Sequence, residues 1–148
     1  AMPRGPLHAA AERGDLHRVR DEIARDSCQL EALTPGYNET PLHRAAENGH
    51  AAVVQELLQA RADINARRRG GHTALHLASS PAVASMLLAG GIDHTIACRK
   101  GLTAAEKCLG GSSVQAFIEE HRVSQAILRM QNGRLAAALA AWVSVGIR

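Results

Sequence analysis

The residues of this 148-residue chain best suited to chemistry are His8, His43 and His76, which occupy the same place in a recurring phrase. Imidazoles bind zinc and carry protons. A zinc site, however, needs ligands that converge at short spacing. These lie 35 and 33 residues apart, which as one per repeat puts them ~10 Å apart at helix-packing distance. The spacing predicts that each imidazole instead bonds the backbone or a neighbouring threonine and ties adjacent turns together. Cys28, Cys98 and Cys108 are scattered, odd in number and without metal-type spacing. They read as reduced thiols of an intracellular, cytoplasmic protein. Gly70-Gly71, Gly90-Gly91 and Gly110-Gly111 fit neither phosphate-binding glycine pattern and belong to turns. With no nucleophile–base–acid arrangement, we expect no enzyme, no cofactor, no metal and no small-molecule substrate.

The elements that carry these residues follow from the repeat itself. Thr40-Pro41-Leu42-His43-Arg44-Ala45-Ala46 is echoed 33 residues later by Thr73-Ala74-Leu75-His76-Leu77-Ala78-Ser79. Pro6-Leu7-His8-Ala9-Ala10-Ala11 precedes it by 35 residues, and a degenerate copy, Gly101-Leu102-Thr103-Ala104-Ala105-Glu106, follows Thr73 by 30. Thr40 is an N-cap type and Pro41 suits the first helical position. Asn48-Gly49 stops that helix, and Val53, Val54, Leu57 and Leu58 make the apolar stripe of a second one. In the third copy Ser79-Ser80-Pro81 replaces this turn, about three residues shorter, and Pro81 opens the second helix. In the first copy Asp21 and Glu22 stand where the second has its leucine-rich core, which suggests a solvated cap. One helix pair cannot bury both its faces, so the copies must stack. Aromatics make up 2% of the chain and A, V, I, L, M, F, W, Y and C together 46%, so the core must be built from Ala, Leu, Val and Ile. No apolar run approaches the ~18 residues of a membrane span, and the opening residues lack a signal-peptide core. Ala1 reads as left over from cloning, with Met2 as the expected start. The net charge of +3 is too mild to imply nucleic acid.

The phrase TPLHRAAENGHAAVVQELLQARADINARRRGGH, residues 40–72, closely resembles the ankyrin repeat. The resemblance covers residues 6–120 in about four copies, 6–39, 40–72, 73–102 and 103–120. It implies an all-α solenoid of helix-turn-helix units with β-hairpin-like fingers, following a leader at 1–5 and followed by a helical extension, one helix or two, over 121–148. It also implies protein binding through a concave face lined by fingers and first helices. On that face we expect Tyr37, Arg67, Arg68, Arg69, Arg99 and Lys100 from the fingers. Arg44, Leu77 and Lys107, each following the motif position, complete it. These residues would form a basic patch with Tyr37 and Leu77 as apolar anchors, suited to an acidic protein partner rather than nucleic acid. Asn65 lies where some ankyrin repeats are hydroxylated, with Leu57 and Asp63 in the matching context; alternatively it only caps its turn.

The tail is no longer ankyrin-like. It is rich in strong helix formers, interrupted by Asn132-Gly133 as a weak point or break. It resembles a single centrin-binding repeat, with Ala126, Leu135, Leu139 and Trp142 in register, but Arg134 replaces a leucine and Val143 the final base. That resemblance implies recruitment of an EF-hand protein such as centrin or calmodulin, and a cytoskeletal or centriolar setting. The competing readings are a helix that caps the stack, a self-association helix, and a chain that is the regulatory fragment of a larger enzyme.

Overall fold

The computed structural model describes residues 5–107 and 113–146; in the last helix it describes the side chains of residues 116 and 118–134. Eight α-helices are present among these residues: α1 (Pro6–Arg13), α2 (Leu16–Arg25), α3 (Pro41–Glu47), α4 (Ala51–Gln59), α5 (Ala74–Leu77), α6 (Pro81–Ala89), α7 (Ala104–Lys107) and α8 (Ser113–Gly146). A 3-10 turn, Ser27–Glu31, follows α2. No strand occurs among the described residues, so the fold is all-α.

The caps place the helices. Asp15 accepts the backbone N–H of Arg18 at 3.1 Å to start α2, and Ser80 accepts that of Val83 at 3.3 Å to start α6 at Pro81. Thr40 and Thr73 start α3 and α5 in capping boxes whose third helical residue is histidine. The shortened third copy leaves α5 only 4 residues against 7 in α3. Gly14 ends α1 at φ +75°, and a side chain there would sit 2.6 Å from the His50 ring. That close approach lets His50 Nε2 donate to the Glu12 carbonyl at 3.0 Å and tie the second copy to the first.

First helices stack as one layer, α1 on α3 on α5 on α7, and second helices as another, α2 on α4 on α6 on the start of α8. Leu7, Leu42 and Leu75 are at most 1% exposed between the layers, with Val19, Val53, Val54, Leu57, Val83 and Leu87. Ala10, Ala11, Ala45, Ala46, Ala74 and Ala105 let neighbouring helices approach closely.

Two expectations are corrected. Glu22 is not part of a solvated cap: it is 6% exposed, because it occupies in α2 the core position that Leu57 fills in α4. Its nearest counter-charge is Arg25, at 3.6 Å. Asn132-Gly133 does not interrupt the tail. Helix α8 runs unbroken over 34 residues, ~51 Å at helical rise, so one helix serves both the fourth copy and the extension. A glycine inside a helix costs only ~1 kcal/mol, which the helix formers around it offset. The turn holding Cys108, Gly110 and Gly111 lies outside the described residues.

Candidate protein-binding face

The histidine row fixes where the fingers begin. His43 Nδ1 lies 2.8 Å from Thr40 Oγ1 and accepts the Thr40 N–H at 3.2 Å. Its Nε2 lies 3.2 Å from the carbonyl oxygen of His72 in the next copy. A carbonyl only accepts, so Nε2 carries the proton and Nδ1 is the acceptor. His76 repeats this with Thr73 at 2.9 Å and the Leu102 carbonyl at 3.1 Å, and His8 donates to the Glu39 carbonyl at 2.9 Å. Each imidazole thus ties its own helix to the finger that opens the next copy. Burial is the main cause that lowers the pKa of all three below 6.5 and keeps them neutral. Glu106 closes the row: its carboxylate accepts the Thr103 N–H at 2.7 Å and hydroxyl at 2.9 Å, as the imidazoles do. An ionised carboxylate has no proton to donate onward, and the row ends there.

The fingers are built on the same register. Thr34 N–H bonds the Glu39 carbonyl at 3.0 Å, Arg68 N–H that of His72 at 2.9 Å, and Cys98 N–H that of Leu102 at 2.9 Å. Neighbouring fingers are joined by Arg69 N–H to the Tyr37 carbonyl at 2.7 Å and Arg99 N–H to the Gly70 carbonyl at 2.8 Å. Asn65 is exposed and accepts the Asp93 N–H through Oδ1 at 2.9 Å, the tie that Glu31 makes to Asp63 one copy earlier. Its side chain therefore bridges two fingers, a larger role than capping its own turn.

Four of the predicted arginines converge. Arg67, Arg68, Arg69 and Arg99 line one depression of about 370 Å³ together with Asn38 and Gly71. Arg67 is held across Gly71, with Nε donating to the Gly71 carbonyl at 3.2 Å and Nη2 to that of Ala97 at 2.9 Å. A side chain on Gly71 would lie 2.8 Å from that Nη2 and 3.1 Å from the Arg99 nitrogen, and φ there is +79°. Arg69 donates to the Gly36 carbonyl at 3.2 Å. Tyr37, 64% exposed, lies on the finger that contributes Asn38. Arg99 and Lys100 are exposed at the third fingertip.

Three of the expected groove residues do not join them. Arg44 is 15% exposed and pairs with Glu39 at 2.8 Å and Glu47 at 3.5 Å. Leu77 is buried, 9% exposed, rather than a free anchor. Lys107 is half-buried and donates to the His76 carbonyl at 3.2 Å. The residue that sequence reasoning missed is Glu39. Its carboxylate, 2% exposed, takes Arg44 on one oxygen and Arg68 on the other. The available signal was its place just before the cap Thr40, in register with His72 and Leu102, where a side chain turns inward. In the tail, Ala126 is exposed, whereas Leu135, Leu139 and Trp142 lie outside the described side chains.

With a stack of capped helix pairs, a Thr–His tie between copies and fingers in register, the comparison with known proteins is direct. The family of ankyrin repeats, taken as 3 copies, matches residues 7–98. The chain belongs to the ankyrin-repeat family. Over 78 residues it is 40% identical to transient receptor potential cation channel subfamily A member 1 of Homo sapiens, covering 51% of this chain and 7% of the channel. It is 38% identical over 69 residues to a probable E3 ubiquitin-protein ligase, XBOS32 of Oryza sativa subsp. japonica, covering 47% of this chain and 14% of the ligase. With alpha-latrotoxin-Lg1a of Latrodectus geometricus it shares 35% over 74 residues, 49% of this chain and 5% of the toxin. The chain thus spans a small part of the length of these relatives, and what is common to them is the ankyrin stack. Ankyrin repeats are protein–protein interaction modules and typically not catalytic. No group of three or more metal-binding side chains occurs among the described residues. No helix among them is long and apolar enough to cross a membrane.

Proposed function

We propose that this ankyrin stack is an adaptor that holds an acidic segment of a protein partner against its fingers. The observation that carries this reading is the convergence of Arg67, Arg68, Arg69 and Arg99 on one depression whose lining includes no carboxylate. Glu39 sits behind it and offsets only Arg68 and the neighbouring Arg44. Tyr37 adds an exposed aromatic, and Arg and Tyr are among the residue types that dominate binding energy. Exposed charges steer a partner over ~8 Å at physiological ionic strength, so association should slow as salt rises. The test is fluorescence anisotropy with labelled peptides matched in length, acidic against neutral. Arg69→Glu with Arg99→Glu should abolish the acidic preference while leaving the melting curve in place. Arg68 is left untouched, since its reversal would set a second carboxylate against Glu39. Equal binding of neutral peptides, or indifference to the reversal, would show that the partner docks elsewhere.

A second reading concerns α8, where Val123, Ile127, Leu128 and Met130 are 49–69% exposed. An exposed apolar helix of this kind suits an EF-hand groove, or a second copy of the same helix. Calcium-loaded calmodulin should shift Trp142 fluorescence to the blue if the first holds, and sedimentation equilibrium should show a dimer if the second does. The free thiols of Cys28 and Cys98 fit an intracellular setting for either reading.

A further inference from the structure

Within the finger face, we propose that the depression around Arg67, Arg69 and Arg99 is a site for a phosphoryl group carried on a side chain of the partner. The inference rests on the reading of that face as the docking surface and names the group it takes. Four guanidiniums border about 370 Å³ with no carboxylate in the lining, and Glu39 is buried behind Arg68. Each guanidinium has five N–H donors in a fixed fork. Arg67 commits two of its N–H groups to the carbonyls of Gly71 and Ala97, and Arg69 commits one to that of Gly36. Those bonds hold the side chains in place and leave the other donors for a ligand, so little rotamer freedom is lost on binding. Gly71 lines the depression at φ +79°, where a side chain would crowd the Arg99 backbone nitrogen at 3.1 Å and displace the Arg67 guanidinium, so glycine leaves this room open.

The chemistry favours phosphate over carboxylate. A carboxylate offers two oxygens and a single charge, enough for one forked arginine. A phosphoryl group carries about −1.5 to −2 at neutral pH and three acceptor oxygens. Arginines supplied by two different fingers, Arg67 and Arg69 from the second and Arg99 from the third, match a group with oxygens on several sides. Like charges confined this closely repel one another, and a divalent anion relieves that more than a monovalent one does. A peptide is the carrier that fits best. Tyr37, exposed and next in the chain to the lining residue Asn38, offers an aromatic ring for an apolar neighbour of the phosphorylated residue.

The experiment uses an array of degenerate peptides with a fixed central phosphoserine, together with matched glutamate and serine arrays, read by binding to the whole chain. The strongest phosphoserine sequence is then measured by anisotropy against its glutamate counterpart. We expect a preference of about tenfold or more for phosphoserine, as a doubly charged, three-oxygen acceptor makes further charge-assisted bonds. Arg99→Ala should remove the preference. Arg99→Lys, which keeps the charge and loses the fork, should remove most of it, and melting curves of both variants should match the parent. Equal binding of phosphoserine and glutamate peptides would overturn the phosphoryl site and leave the acidic-partner reading standing. Binding of neither would overturn both. Capture by phosphatidylcholine vesicles doped with phosphatidylinositol phosphates, without any preference among peptides, would assign the site to a membrane and refute the peptide.

Discussion

Two rows of polar side chains run along the stack, one at the starts of the first helices and one at the fingers. In the helix row His8, His43 and His76 are at most 4% exposed and held neutral. His43 and His76 use both ring nitrogens on partners inside the protein. In the finger row Arg67, Arg69 and Arg99 are exposed, and the side-chain bonds of Arg67 and Arg69 within the protein go to backbone carbonyls, two from Arg67 and one from Arg69. The difference teaches that stability and recognition are divided between the rows. A buried polar group contributes because removing its partner leaves an orphan, whereas an exposed charge contributes little to folding and remains available to a ligand. Glu39 is where the rows cross, with its carbonyl on His8 and its carboxylate on Arg44 and Arg68.

Acid should break the helix row first, and with the largest effect. The pKa of His8, His43 and His76 is lowered in the folded state chiefly by burial, from an ordinary 6.5. In the pH range below 6.5 the unfolded chain binds more protons than the folded one. The stability they contribute is therefore full above ~6.5 and lost as pH falls from there through the folded values. Each group contributes a slope of at most about 1.4 kcal/mol per pH unit, so ~4 kcal/mol per unit is the ceiling for the three together. Urea unfolding at pH 7.5, 6.5 and 5.5 should show a plateau and then a steep fall. A flat profile would mean that the folded imidazoles take up protons as readily as the unfolded ones.

Next in size is the crossing point. Glu39→Ala keeps the carbonyl that serves His8 and leaves two guanidiniums without their carboxylate. Breaking such a pair costs about 3–5 kcal/mol when it is fully buried. Arg44 and Arg68 are 15% and 20% exposed, so a loss of ~2–4 kcal/mol in urea denaturation is expected here. His43→Ala should follow at ~1–2 kcal/mol, because it orphans the Thr40 N–H and removes one of the two donors to the His72 carbonyl, which keeps the Arg68 N–H. It should also flatten the acid profile by one proton. A loss without that flattening would separate packing from titration.

How much of this was legible in the chain depends on how local each cause is. The stack, the caps and the inter-copy role of the histidines were readable, because threonine, proline, glycine and histidine act within a few residues of themselves and the phrase recurs. The convergence of Arg67, Arg68, Arg69 and Arg99 was readable once fingers were expected to lie side by side. Arg44 looked free because its partner Glu39 lies on the finger side of the cap, outside the helical pattern. Leu77 looked exposed because the residue after the motif histidine was expected to face the groove, yet at this position Arg44 and Leu77 are 15% and 9% exposed. Glu22 looked solvated because glutamate usually is, although its register with Leu57 pointed inward. The unbroken course of α8 through Asn132-Gly133 went against a local turn signal that the surrounding helix formers outweigh.

Glu22 also gives a stabilising change, no larger than the losses above. Its side chain is 7% exposed and faces a single cation at 3.6 Å, where the second copy has Leu57 fully buried. Replacing a poorly paired buried charge by an apolar side chain of similar volume is commonly favourable by ~1–2 kcal/mol. Glu22→Leu should raise the urea midpoint by that amount with no change in the denaturant slope. A drop in stability would show that the Arg25 contact matters more than its length suggests.

The smallest expected effect on folding sharpens the comparison most. Arg69→Ala with Arg99→Ala removes two charges from the finger row. Arg99 is exposed, and Arg69 gives up one side-chain bond to the Gly36 carbonyl at 3.2 Å. The inter-finger ties made by their backbone N–H groups are independent of the side chains and remain. Exposed charges typically contribute ~0–1 kcal/mol, and relieving repulsion from Arg67 and Arg68 works in the opposite direction. The double variant should therefore unfold within ~0.5 kcal/mol of the parent, and it should do so in both low and high salt. The same variant should lose the acidic-peptide preference altogether. A large loss of stability would mean that the fingers belong to the folding unit and that the division between the two rows is false. Unchanged stability with lost binding places recognition in the finger row, while the histidine row keeps the stack intact.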